Sequence, residues 1–345
     1  MTAQLTVAVG PVRTRLERRP VVVGAVVATV VLVVGVLAMT LGDYPLSARD
    51  VLAILVGRGQ DPLGAYFVQE VRAPRVVAAV LVGAALGTSG AVLQTLSRNP
   101  LGSPDIIGLT TGAATGALVQ IVLFGGDPRA VVLGALVGGL GTAVVVYALA
   151  WRGGVSGYRL VLVGIGVGAT LAAVNALLVV RASLSAAQTA AQWLAGSLNA
   201  VLWPQVALLG LAVAVLLPLT WSLARPLAMM AMPDDVCVVA GLDVQRTRRR
   251  LLLLAVALMS VATATTGPVA FVALAAPHVA RRLGRTAGPA LGTAAVVGAA
   301  LVLVADVVAQ RLFAPTQLAV GVVTGSLGGV YLVVLLVTQW RRLRG

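Results

Sequence analysis

The chain has 345 residues, 59% of them hydrophobic and only 10% charged, and its mean hydropathy of +1.01 excludes an ordinary soluble domain. Its 25 basic residues are all arginines and outnumber 11 acids for a net charge of +14; they sit between apolar runs, which points to membrane topology and anionic headgroups and away from nucleic acid. The absence of lysine excludes a Walker A phosphate loop and Schiff-base chemistry, the lone Cys237 an internal disulfide, and the lone His278 a His-paired zinc motif.

Residues 1–20 carry Arg13, Arg15, Arg18 and Arg19 ahead of an apolar run from Val21 to Leu41. That run is too long for the core of a cleaved signal peptide, so it reads as a retained span behind a cytoplasmic N-terminal tail. The polar stretch from Gly42 to Gln69, with Asp43, Pro45, Asp50, Asp61 and Pro62, reads as an outside loop holding a short interfacial helix around Ala48 to Val56. Further spans are expected at roughly 74–96, 105–124, 130–151, 159–181, 202–224, 250–267, 268–283, 289–310 and 318–340. The fold class is therefore all-α: a polytopic membrane protein with about ten transmembrane helices in one domain, 21–340, followed by a short tail at 341–345. The stretch 268–283 contains Pro268 and Pro277 and is too short to cross lipid unaided, so it should be packed inside the bundle.

An even number of spans puts both termini on one side, and the arginines test it. With both ends inside, the cytoplasmic segments hold 18 of the 25 arginines: four in the N-tail, Arg98, Arg152, Arg159, Arg225, Arg246, Arg248 to Arg250, Arg281, Arg282, Arg285, and three in the C-tail. An odd count would place one basic end on the wrong side. The spans are rich in small residues, as in Gly83 to Gly87 and Gly134 to Gly141, which suits close helix packing where no hydrophobic effect acts between helices.

The longest inside loop, about 224–249, contains Pro233-Asp234-Asp235, then Val236, Val238, Val239 and Gly241. It reads as a short capped helix at the membrane surface, either a solvated connector or a docking helix for a cytoplasmic partner.

At this point several motifs resemble one family: Arg72-x-Pro-Arg75, Gly83-Ala-Ala-Leu, Gly90-Ala-x-Leu-Gln94, Arg98-Asn99-Pro100-Leu-Gly-Ser-Pro-Asp105-x-x-Gly108, Trp193-Leu-Ala-Gly-Ser-Leu198, Gly267-Pro-Val-Ala-Phe, Pro277-His-Val-Ala-Arg281, Ala305-Asp306 and Val320-Gly-Val-Val-Thr-Gly325. In this order they resemble the FecCD-type permeases, the membrane subunits of ABC importers for iron-siderophores, haem and cobalamin. The resemblance implies a type II ABC importer-like bundle, a second permease subunit (identical or paralogous), two ATPase subunits carrying ATP and magnesium, and an outside substrate-binding protein. This chain itself would hold no cofactor and do no covalent chemistry.

The same resemblance makes Asp234, Asp235, Gly241 and Leu242 candidates for the ATPase contact. Arg98, Asn99, Pro100 and Asp105 form a cytoplasmic turn nearby, and Arg72 and Arg75 are candidates for docking acidic residues of the binding protein. Guanidinium forks suit that task, although interfacial snorkelling explains the same positions. Departures from the family pattern lie at Gln310, where many members have an arginine and Arg311 stands beside it as the third docking candidate, at Gln317-Leu-Ala319, and at Gly329-Val-Tyr331.

Asn175 could line the translocation pathway or glue two helices. Asp306 could serve the pathway or be a paired helix-end charge. His278 reads as an interfacial helix residue and Cys237 as an inert thiol. The reading that follows is a permease subunit passing a ferric siderophore inward on ATP hydrolysis by a partner, with cobalamin or haem as the alternative cargo. An ion-coupled secondary transporter would need mid-span ionisable residues, and an intramembrane enzyme a catalytic set such as HExxH or GxSxG; the chain has almost none of the former and neither motif.

Overall fold

The computed structural model describes residues 4–9, 12–42, 44–105, 108–151, 157–199, 201–314 and 316–344. Asp43, Arg152 and parts of both tails lie outside the described residues. Two strands, β1 (Gln4–Val9) and β2 (Val12–Glu17), pair antiparallel in the N-terminal segment, an element the sequence reading does not contain. They lead into α1 (Arg18–Thr40), whose long apolar surface is mostly exposed, as a lipid-facing helix requires.

The polar loop then folds back on the end of α1. Ser47 caps α2 (Ala48–Leu55) through a capping box: its hydroxyl accepts from the Asp50 amide at 3.2 Å, and the Asp50 carboxylate accepts from the Ser47 amide at 3.3 Å. Asp61 caps α3 (Pro62–Tyr66), whose proline occupies the first turn, where no amide hydrogen is needed. α3 runs on through a π-helical turn, Phe67–Arg72, into α4 (Ala73–Ser97), which is buried along most of its length.

The remaining helices are α5 (Leu109–Leu123), α6 (Pro128–Ala150), α7 (Gly157–Arg181), α8 (Leu184–Leu194), α9 (Trp203–Ser222), α10 (Ala224–Met229), α11 (Asp234–Val239), α12 (Val244–Thr266), α13 (Val272–Gly284), α14 (Leu291–Arg311) and α15 (Val320–Arg344). Each of the ten expected spans has its helix. Among the described residues seven helical stretches are long and apolar enough to cross a membrane, with α5 and the first part of α15 as shorter apolar helices. The tenth, α13, has 13 residues, about 20 Å, and is buried on Val272, Ala273, Leu274, Ala276, Pro277 and Ala280.

Three boundaries differ from the sequence reading. α12 starts at Val244 rather than near 250, because the Asp243 carboxylate accepts from the Arg246 amide at 3.0 Å and caps the arginine-rich turn into the helix. α5 starts at Leu109 rather than 105, with Gly108 in the left-handed conformation at its start. The stretch after Arg181 forms α8, capped by Ser183, where the sequence reading has no element.

α4 packs mainly against α14, with α12, α13 and α9 around it. The contact is at backbone distance: a methyl group on Gly83 would run into the backbone of Gly298, and one on Gly90 into the Ala273 carbonyl. Gly141, by contrast, faces open space. Gly83→Val or Gly90→Val should lower stability by roughly 1–3 kcal/mol or more through overpacking, whereas Gly141→Ala should leave it nearly unchanged, as read by thermal unfolding of the detergent-solubilised chain.

Candidate functional site

The polar side chains gather at the two ends of α4. At the end where α4 begins, the Arg75 guanidinium faces the Asp306 carboxylate of α14: Nε lies 3.2 and 2.9 Å from its two oxygens, and Nη2 2.9 Å from Oδ1. Asp306 is only 1% exposed, and Gln310, one turn later, donates to its Oδ2 at 2.8 Å. Arg75 Nη1 also donates to Gln317 Oε1 at 3.0 Å, reaching the segment before α15. A fork on a carboxylate with a third donor satisfies most of the acid's lone pairs, which a buried ion pair needs to offset its desolvation. The glutamine at position 310 thus takes part in the ion-pair cluster.

Arg72 is placed differently from Arg75. It is 9% exposed, its Nη1 donates to the Met39 carbonyl at 2.7 Å and its Nη2 to the Tyr44 carbonyl at 2.6 Å, and its guanidinium lies over the Phe67 ring. These bonds hold the end of α1 and the loop after it against the π-helical turn, so Arg72 is not presented at the surface. Arg311 is exposed and has no ion pair among the described residues. Trp203 Nε1 donates to the Gln69 carbonyl at 2.8 Å, bringing the start of α9 to the same end.

At the opposite end, Arg98 caps α4 in the left-handed conformation (φ 48°), a position glycine commonly takes. Its Nε donates to the Met230 carbonyl at 3.2 Å, and its Nη2 donates to Asp234 Oδ1. Arg248, almost fully buried on the first turns of α12, donates to both oxygens of the same carboxylate at 3.0 Å. Asp234 therefore joins three elements: the end of α4, the start of α11 and α12. Partial burial pushes its carboxyl up, but hydrogen bonds and charge from Arg248 and then Arg98 outweigh it and hold the carboxyl below the ordinary aspartate range. Arg248 is the member that sequence reading used only as a topological charge; its position five residues beyond the Asp243 cap is the signal that puts it on a helix.

Asp235, beside Asp234, is exposed, as are Val236, Val238 and Val239, the last at 90%. Gly241 ends the loop at φ 82° with open space around it, and Leu242 packs against the core. Asn99 Oδ1 accepts from the Leu101 amide at 2.9 Å, and the Pro100 carbonyl pairs with His278 Nε2 at 2.9 Å. Nearby, Arg281 Nη2 donates to Gln94 Oε1 at 2.6 Å, while Gln94 Nε2 donates to the Leu274 carbonyl at 3.0 Å.

Two candidates sit deeper. Asp105 accepts from the Thr110 hydroxyl at 2.6 Å, and that hydroxyl lies 3.6 Å from Met259 Sδ, well along α12, so the turn begun at Arg98 passes into the bundle. Asn175 on α7 is buried and its Nδ2 donates to the Thr111 carbonyl of α5 at 3.5 Å, with its Oδ1 unpaired. Among the described residues no three His, Cys, Asp or Glu side chains gather as a metal site.

Among the described residues this arrangement contains two ion-paired ends and an exposed apolar helix. Residues 30–338 match the FecCD transport family. The chain belongs to that family. Among similar FecCD proteins, the ferric enterobactin transport system permease FepG of Escherichia coli K12 is 45% identical over 326 residues, covering 94% of this chain and 98% of its own. The achromobactin transport system permease CbrC of Dickeya dadantii is 40% identical, with 92% of each chain covered. A solved chain described as an inward-facing conformation of a metal-chelate type ABC transporter superposes with a TM-score of 0.83 at 25% identity, covering 92% of this chain and 99% of that one.

Two outcomes follow from the ion pairs. Arg75→Met alone strands the buried Asp306 carboxylate and should cost about 3–5 kcal/mol in thermal unfolding, and the double variant Arg75→Met/Asp306→Leu should recover most of it. The Asp234 clamp, whose carboxyl is depressed in the folded chain, should hold at every pH above ~4 and open as pH falls further. Proteolysis of the 230–243 loop, followed from pH 6 to pH 3 with an acid-active protease, should therefore rise only below that point, and Asp234→Asn should be cut readily throughout.

Proposed function

We propose that this chain is the permease subunit of an ABC importer that takes a ferric siderophore from a substrate-binding protein and passes it into the cytoplasm. The observation that carries this reading is the near full-length similarity at 45% to a ferric enterobactin permease. A hemin transport permease of Yersinia pestis is 34% identical over a smaller share, 78% of this chain, which makes haem the second cargo to test. The chain works as a dimer with a copy or a paralogue, in a bacterial cytoplasmic membrane, with both termini and the Arg98–Asp234 end inside.

The cytoplasmic contact is α11. An exposed run of Val236, Val238 and Val239 on a loop outside the lipid is a surface that a partner covers, and Asp234, clamped by Arg98 and Arg248, holds it at a set angle to α4 and α12. Asp235 sits at the rim of that surface and Gly241 frees the chain to turn back into α12. Two ATPase subunits, with ATP and magnesium, take this position, and their closure is transmitted through the clamp.

At the outer end the exposed Arg311 and the edge of Arg75, beside other exposed arginines such as Arg49 and Arg58, offer guanidinium groups to acidic side chains of the binding protein, while Arg72 organises the loop beside them. Rim charges of this kind raise the association rate and fix orientation more than they add affinity.

In proteoliposomes with its partner ATPase and substrate-binding protein, ferric siderophore should accumulate only with hydrolysable ATP. Uptake on an ion gradient alone would overturn the proposal in favour of a secondary transporter. Val239→Asp should reduce coupled uptake at least tenfold and weaken ATPase co-purification while leaving the thermal unfolding of the permease unchanged.

A further inference from the structure

A slot of about 190 Å³ opens between α6 and α12 toward the end where α4 stops. Its two walls are stripes at helical spacing. Leu140, Ala143, Val144 and Tyr147 follow one another on α6 at i, i+3, i+4 and i+7. Arg249, Leu252, Leu253 and Val256 repeat the same spacing on α12. Leucines of α4, α5 and α7 close the floor, and among the described residues Tyr147 and Arg249 are the polar side chains that line the slot. It is open to the outside of the bundle, since Leu140, Val144 and Leu253 are 42%, 64% and 56% exposed.

Each stripe spans eight residues, about 10 Å of helix, against the roughly 15 Å thickness of one leaflet's hydrocarbon. The slot is too small for a drug-sized chelate, which needs roughly 300 Å³ or more, and its polar groups lie only at Tyr147 and Arg249. An extended alkyl chain fits both its length and its chemistry.

The mouth has the opposite character. Arg249 stands exposed at the end of its stripe, with no ion pair among the described residues, and Arg246 and Arg250 beside it are exposed too. Of the acids in the preceding loop, Asp243 caps α12 and Asp234 is held by Arg98 and Arg248, while Asp235 is exposed and makes no ion pair among the described residues. Trp151, which packs against Tyr147 with ring centroids 5.7 Å apart, and Tyr158 are both exposed at this level, where aromatic side chains mark the headgroup region. Apolar walls leading to an uncompensated guanidinium at headgroup depth match one molecule of the surrounding solvent, a phospholipid with a net negative headgroup.

We propose that this slot holds one acyl chain of an anionic phospholipid, with Arg249 on its phosphate. The lipid would complete the seam between α6 and α12 and fix the first turns of α12, the same turns that carry Arg248 to the Asp234 clamp. The site is independent of which cargo the transporter carries.

Native mass spectrometry of the full chain, delipidated and then incubated with phosphatidylglycerol or with phosphatidylcholine of the same acyl chains, tests this. The wild type should retain one phosphatidylglycerol under activation that strips phosphatidylcholine. Ala143→Trp, which fills the slot, should abolish that retention. Arg249→Gln, at an exposed position that does not disturb packing, should lower the preference for phosphatidylglycerol about fivefold, the equivalent of roughly 1 kcal/mol per arginine at a membrane surface. Equal retention of the two lipids by the wild type would overturn the proposal. So would an unchanged preference in Arg249→Gln, which decides the matter even if Ala143→Trp does not fold.

Discussion

Lipid tails are as apolar as leucine, so two membrane helices gain nothing from hiding apolar surface from each other and must be held by contact itself. In this chain the decisive contact is between α4 and α14, where Gly83 faces Gly298 and Gly87 faces Ala294 at backbone distance. Dispersion falls steeply with separation, so removing the side chains from this seam brings many atoms into range at once. α12 and α13 pack on the same rod, with Gly90 of α4 against Ala273 of α13. The position of every polar group at either end follows from how that rod is seated.

The ion pairs work at the ends of the seam and not within it. Arg75 ties the beginning of α4 to the last turns of α14, and Arg98 ties its end to the α11 loop and, through Asp234, to α12. A charge at mid-bilayer would be costly, whereas one near an end is stabilised by water and by helix carbonyls as well as by its partner. A stiff helix of 25 residues, about 37 Å, clamped at both ends, links the Arg75 end of the bundle to the loop that carries α11. This gives the FecCD bundle a physical connection between the faces where its two kinds of partner would sit.

Much of this was readable from the residues. The ten helices follow from apolar runs long enough to span lipid, and the buried character of α13 follows from its length and its prolines. The short helices α2 and α11 were expected from the polar stretch around Ala48 to Val56 and from Pro233-Asp234-Asp235; Ser47 caps α2, but α11 has no side-chain cap, because Asp234 is held by Arg98 and Arg248 instead. α8 was not readable: Leu184 to Leu194 is neither long enough for a span nor strongly periodic, and it is ordered by Ser183 and by packing against α5. The partners of Arg72, Arg75 and Arg98 were not readable either. All three are arginines at the end of an apolar run, yet one binds two carbonyls, one a buried acid on α14 and one an acid on the α11 loop.

Composition, arginine placement and local capping, all properties of short stretches of chain, determined that this protein lies in a membrane and where most of its ten expected spans begin and stop. Motifs read in order determined the family. Only the tertiary structure decided that Arg72 is turned inward while Arg75 is paired, that Asp234 is shared between Arg98 and Arg248, and that two stripes on α6 and α12 enclose a slot. The reason is distance along the chain: Arg75 and Asp306 lie 231 residues apart, and Arg98 and Asp234 lie 136 apart. Pairings of that kind are selected by the packing of whole helices, which no local pattern encodes.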